Sequence, residues 1–185
     1  FSETTLKTAS HEEHFLCALP EEGASPESML HAVAETSREA GASLLTLEVF
    51  GGPHSGRHRQ QLLGDVFGDC PFPVTWIEEA SGPEDRLAGV QSWAVSGTPV
   101  APVLLDDRVV GTVFETPAMR YFRMGGLIPP DAAAEDEAQA ANIFDDMRRA
   151  LGLCGMTFAQ VARTWFFNRD ILAWYTEFNR VRDRF

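Results

Sequence analysis

The succession of apolar patterns along the chain predicts an α+β fold built as two like units in tandem. Three observations carry this. The residues up to Val95 read strand, helix, strand, helix, strand, strand. The residues from Val103 onward read hairpin, strand, helix, strand, helix. Between them Thr98–Pro102 is a connector flanked by Pro99 and Pro102, beyond which the pattern restarts. The units are therefore expected at residues 1–97 and 98–185, each a mixed sheet with two helices packed on one face.

In the first unit, Phe1–Ser10 carries too little pattern to assign. His14–Leu19 (HFLCAL) reads as a strand and Pro20–Ala24 as a loop. Ser25 and Pro26 are the cap and first residue of a helix over Ser28–Ala40 that Gly41 ends. Its inward side is Met29, Leu30, Val33, Ala34, Ser37 and Ala40. Ser43–Phe50 (SLLTLEVF) is a strand, Gly51–Gly56 a turn, and Arg57–Phe67 a second helix. Val74–Glu78, opened by Pro71 and Pro73, is a strand; Gly82–Asp85 is a loop; Val90–Val95 is the last strand.

In the second unit, Val103–Leu105 and Val109–Phe114 flank Asp106 and Asp107 as a β-hairpin. Met119–Met124 is a strand that runs into Gly125, Gly126 and the loop Leu127–Asp131. Ala132–Leu151 is a long helix with Ile143, Phe144, Met147, Ala150 and Leu151 inward, stopped by Gly152 and Gly155. The acidic run Glu135, Asp136 and Glu137 lies in its first turn, where it favours the helix dipole. Val161–Phe167 reads as a strand, broken by Asn168, Arg169 and Asp170. A helix over Ile171–Phe185 carries Ile171, Leu172, Trp174, Tyr175, Phe178, Val181 and Phe185 at helical spacing. A strand is expected to follow such a helix. The second unit is thus expected to be cut short, its sheet completed by a further C-terminal segment or by a second chain. The first residue, Phe1, leaves a trimmed start or a lost signal peptide open.

The net charge of −12 opposes binding to nucleic acid or to an anionic membrane. No apolar run approaches the ~20 residues of a membrane helix. Cys17, Cys70 and Cys154 are odd in number and far apart, which fits reduced thiols in a cytoplasmic protein rather than a disulfide framework. His11 with His14, and His54 with His58, have spacings seen in metal sites. They lack companion cysteines, so the reading is solvated histidines and no metal. Gly51–Gly56 lacks the Lys-Ser/Thr ending of a phosphate-binding loop. Cys154 shows no nearby base and reads as an ordinary thiol.

Five residues, Arg163, Arg120, Tyr121, Gly125 and Gly126, are candidate substrate-binding groups. Arg163, on a strand, is either a carboxylate clamp or a surface salt-bridge residue. Arg120 and Arg123 are oddly spaced, so strand alternation puts them on opposite faces and at most one faces a pocket. Tyr121 is either core or pocket. Gly125 and Gly126 either expose N–H groups to a ligand or permit a bend.

The second half resembles the Rid (YjgF, L-PSP endoribonuclease-like) family. GGLIPPD, Gly125–Asp131, is similar to that family's strand-end loop SGQIPLD. MTFAQVARTWFFNRDILAWYTEFNRVRDRF resembles its passage through a strand into the second helix, with Phe178 and Asn179 in its aromatic–Asn pattern. In the first half PVTWIEE, Pro73–Glu79, and LAGVQSWAV, Leu87–Val95, are similar to its last two strands. Tandem units are also similar to chorismatases, whose two domains resemble this fold. The resemblance implies chorismate-mutase-like units, a homo-oligomer (usually a trimer), and cofactor-free hydrolysis of carboxylated enamines or imines to keto acids and ammonia. In such chemistry an arginine clamps the substrate carboxylate, and backbone groups or a carboxylic acid handle the proton. Three departures accompany it. Val74 stands where the family arginine is expected, Gly125 replaces the loop serine, and Leu127 replaces the glutamine. A non-catalytic ligand-binding or scaffold protein is the alternative.

Overall fold

Eight strands, four α-helices and two short 3-10 turns make up the computed structural model over its described residues, 1–22, 25–51, 56–78 and 87–185. The first part contains β1 (Ser2–Lys7), β2 (Glu12–Ala18), α1 (Pro26–Glu39), β3 (Ser43–Gly51), α2 (Gly56–Phe67), β4 (Val74–Ile77) and β5 (Leu87–Ser96). The second contains β6 (Val100–Leu105), β7 (Arg108–Glu115), β8 (Arg120–Met124), α3 (Asp136–Leu153) and α4 (Tyr175–Arg182). The strands part into two sheets between Ser96 and Val100, so the protein is α+β with two sheets. Residue His54 and the predicted loop Gly82–Asp85 lie outside the described residues, as does most of the predicted turn Gly51–Gly56.

The first sheet has the order β1-β2-β5-β3-β4, antiparallel except for the β3–β4 pair. Helices α1 and α2 cover one face through a core of Leu16, Leu30, Val33, Leu47, Val49 and Val90, with Leu62, Leu63 and Val66 of α2 packed against it. β1 escapes the sequence reading because every one of its residues is exposed. It is an edge strand held by backbone pairing, so no apolar period marks it.

The central strand β3 is buried on both faces at Leu44, Leu45, Thr46 and Leu47, which requires a second cover. The other sheet supplies it, through a cluster of Leu45, Val95 and Phe114 with Trp93, Val100 and Tyr121 around it. A register irregularity between Leu44 and Thr46 opens the ladder there. A bulge of this kind frees carbonyls that must find other donors. Thr112 Oγ1 donates to Leu45 O at 2.8 Å and Ser92 Oγ to Thr46 O at 2.7 Å. The first of these bonds joins the two sheets.

The second sheet has the order β6-β7-β8 and is antiparallel throughout, not mixed as expected. Asp106 and Asp107 both have positive φ, 50° and 62°, the mark of the two-residue turn that matches strand twist. Arg149 of α3 grips that turn, its Nη2 lying 2.8 and 3.0 Å from the two Asp106 carboxylate oxygens. α3 buries Ala140, Phe144, Met147, Ala150 and Leu151. Among the described residues no helix is long and apolar enough to cross a membrane.

The last thirty residues correct the sequence reading. Val161–Phe167 forms neither helix nor strand and pairs with no strand among the described residues; it follows a 3-10 turn, Phe158–Gln160, closed by a reciprocal Thr157–Gln160 capping box. A strand exists only with a neighbour to bond, and nothing after Phe167 in these residues forms one. The expected fifteen-residue helix is a 3-10 turn, Ile171–Ala173, followed by the eight residues of α4. That helix packs on α3 rather than on a sheet. Phe144 is the hub, with its ring 5.1 Å from Phe166, 6.1 Å from Phe178 and 5.4 Å from Phe185. Leu172, expected on the apolar stripe, is 90% exposed.

Candidate functional site

The two sheets meet along a seam, and the inner-facing side chains of β8 and the loop after it line that seam. Gly125 N donates to Val110 O at 3.0 Å, which ends the β8 ladder. Gly126 has φ +66°, and its N–H donates to Thr75 Oγ1 at 2.9 Å. A Cβ on Gly126 would stand 2.7 Å from Val74 O, and one on Gly125 3.1 Å from Thr75 Oγ1. Both glycines are therefore fixed by close approach of β4, not only by a bend. The N–H group expected to meet a ligand is spent on the Thr75 hydroxyl of the five-stranded sheet, beside Val74.

Tyr121 stacks on Phe114, with centroids 4.7 Å apart and planes at 4°. His11 completes this aromatic group at 5.6 Å from Phe114 and 6.4 Å from Tyr121. His11 and His14 are buried, not solvated as expected. His11 Nε2 lies 3.2 Å from Glu13 Oε1 and its Nδ1 2.9 Å from Thr8 Oγ1. His14 contacts Glu3 and Ser96 Oγ, each at 3.0 Å. Among the described residues no three His, Cys, Asp or Glu gather in a way that suits a metal ion.

Arg120 and Arg123 do face opposite sides of β8. Arg120 points away from the seam. Its Nε donates to Glu115 Oε1 at 2.6 Å and its Nη1 to Cys154 O at 3.0 Å. It lines an open hollow of about 350 Å³ with Leu104, Glu115, Leu153 and Cys154. Its ion pair with Glu115 is largely exposed, a pairing of small energy. Burial pushes the Cys154 thiol up, against a smaller opposing pull from Arg120.

Arg123 points into the seam and is half-buried. Its guanidinium lies 4.6 Å over the ring of Trp93, which stacks on Phe15 from β2 at 5.3 Å. Burial lowers the Arg123 pKa against the attraction of Glu48. Burial likewise raises the Glu48 carboxyl, and the Thr46 hydroxyl and the Arg123 charge only partly offset it. Glu48 sits in register between Thr75 of β4 and Gln91 of β5. Among the described residues the buried Nε1 of Trp93 has no hydrogen-bond partner.

The structure thus brings Tyr121, Gly125 and Gly126 to the seam and leaves Arg120 behind it. Arg163 is exposed on the unpaired stretch, where it lies 4.1 Å over Trp165; no contact joins it to the other four. Glu48 and Trp93 were missed. The one signal for Glu48 was in the sequence: it is the only charge in the apolar strand SLLTLEVF.

Among known proteins, no family model, no curated protein and no solved structure matches the chain.

Proposed function

We propose that this chain is a tandem protein of the Rid type whose glycine-loop seam serves as a ligand-binding or scaffold joint without turnover. The observation that carries this is the closed contact at that loop. The Gly126 N–H is held by Thr75 Oγ1 against Val74, so the position where an arginine would clamp a substrate holds an apolar side chain and a satisfied amide. The tandem reading draws on element order. The first unit runs β2-α1-β3-α2-β4-β5, and the second runs hairpin, strand, helix, extended stretch, helix. On this reading Val161–Phe167 corresponds to β3 and lacks the two neighbours, β5 and β4, that hold β3. An oligomer or a further strand-bearing segment would provide them.

The test is ammonia release from imines generated in situ by an amino-acid oxidase. The expected result is no acceleration by this protein over buffer. One specific observation favours a second reading, hydrolytic deamination of a carboxylated enamine or imine. Arg123 with Glu48 offers a cation and a carboxyl of raised pKa in one place, the pairing that proton transfer beside a clamped carboxylate needs. Acceleration that Arg123→Gln abolishes would establish the second reading and end the first.

A further inference from the structure

Arg123 brings five N–H donors into the half-buried seam, and among the described residues it forms no hydrogen bond and no ion pair; its contact is the face of Trp93. Its nitrogens are not among the fully buried unpaired atoms, so they are open to a ligand, and every other arginine on the two sheets has an acidic partner: Arg108 meets Asp146 and Arg120 meets Glu115. Beside it the Trp93 Nε1–H is a second unused donor, itself buried. We propose that the seam binds a small monocarboxylate on Arg123, with the anion edge-on to the guanidinium and its apolar part along the Trp93–Phe15 stack. This rests on the ligand-binding half of the reading above. Its test reads occupancy rather than turnover, so the two fail separately.

The surroundings select the ligand class. Arg123 is the cation that faces the seam and Glu48 already draws on its charge, so a ligand with a single carboxylate fits best. A planar guanidinium prefers a planar anion held by two parallel N–H bonds. Glu48, on the same side, repels a second carboxylate and so disfavours dicarboxylates. Phe15 is 40% exposed, which leaves an apolar surface open at the entrance. Gln91, next to Glu48 in register, is exposed as well, so solvent reaches this end of the seam.

The experiment is a titration of the isotope-labelled protein with phenylacetate, followed through the Trp93 indole N–H resonance, which Trp93→Phe identifies. A saturating shift is expected. Arg123→Lys keeps the charge but not the fork and should weaken binding roughly tenfold. Arg123→Gln should abolish the shift. Glu48→Gln removes the repelling charge and should tighten phenylacetate binding severalfold and admit succinate. Absence of a saturating shift overturns the proposal, as does an unchanged shift in Arg123→Gln. If Arg123→Gln does not fold, Arg123→Lys and Glu48→Gln decide: their affinities must move in opposite directions.

Discussion

Glu48 is a carboxyl set into an otherwise apolar strand, and burial holds its pKa above the ordinary range. A group whose folded pKa is raised binds its proton more tightly in the native state than in the unfolded chain. Its contribution to stability is complete below the unfolded value and is lost as pH rises through the folded value. At neutral pH the ionised side chain is therefore a net cost. Glu48→Gln removes that cost, so the variant should be the more stable protein at pH ~7 and should lose its advantage near the ordinary carboxylate range, about pH 4. Urea midpoints at the two pH values check this. A difference that stays constant between them would show that Glu48 titrates as a free side chain does. Most carboxylates with shifted pKa move the other way; Asp106, for example, is lowered by its bonds to Arg149. The comparison of variant with parent cancels these.

At the scale of elements, the least secure stretch is the one that sequence reading made a strand. In Val161–Phe167 the run of β-branched, aromatic and small residues is present, and Phe166 is half-buried on Phe144. From Ala162 to Arg169 no backbone N–H finds a backbone acceptor among the described residues. Exposed amides outside a ladder exchange freely, whereas those of a central strand exchange only through large-scale opening. Amides 162–169 should therefore exchange with deuterium close to the unprotected rate, while those of β3 outlast the measurement. Protection of 162–169 comparable to β3 would mean that a neighbouring strand is present in solution. The contrast with the β6–β7 hairpin is instructive. There the Asp106–Asp107 turn and partners three to fourteen residues away suffice, so local sequence determines the element.

For the molecule as a whole, the question is what holds the two sheets together. Apolar contact of Leu45, Val95 and Phe114 supplies area, but the Thr112 hydroxyl supplies direction, because it satisfies the Leu45 carbonyl freed by the bulge. Thr112 is fully buried. Thr112→Val keeps the shape and leaves that carbonyl without a donor, at a cost of about 1–3 kcal/mol. The denaturation midpoint should fall accordingly with the far-ultraviolet circular dichroism unchanged. An unaltered midpoint would show that the seam is held by apolar contact alone.

The candidate site was legible only in part. Tyr121, Gly125 and Gly126 were found because glycine pairs after a strand and an aromatic on it are visible in one dimension. The opposition of Arg120 and Arg123 followed from strand alternation. Which of the two faces a second sheet did not, since it depends on β3, more than seventy residues earlier. The acceptors beside His11 and His14 were equally hidden: Glu13 is close in sequence, but burial under Phe114 and Tyr121 is a tertiary fact.

By itself the sequence determined the class of fold, the order of its elements and most of their places, because period and turn chemistry are local properties of the chain. The tertiary structure alone decided that Gly126 spends its N–H on Thr75, that Arg123 lies over Trp93 with no hydrogen-bond partner among the described residues, and that Val161–Phe167 is no strand. Each of these depends on a group distant in the chain that arrives, or fails to arrive, within hydrogen-bonding reach.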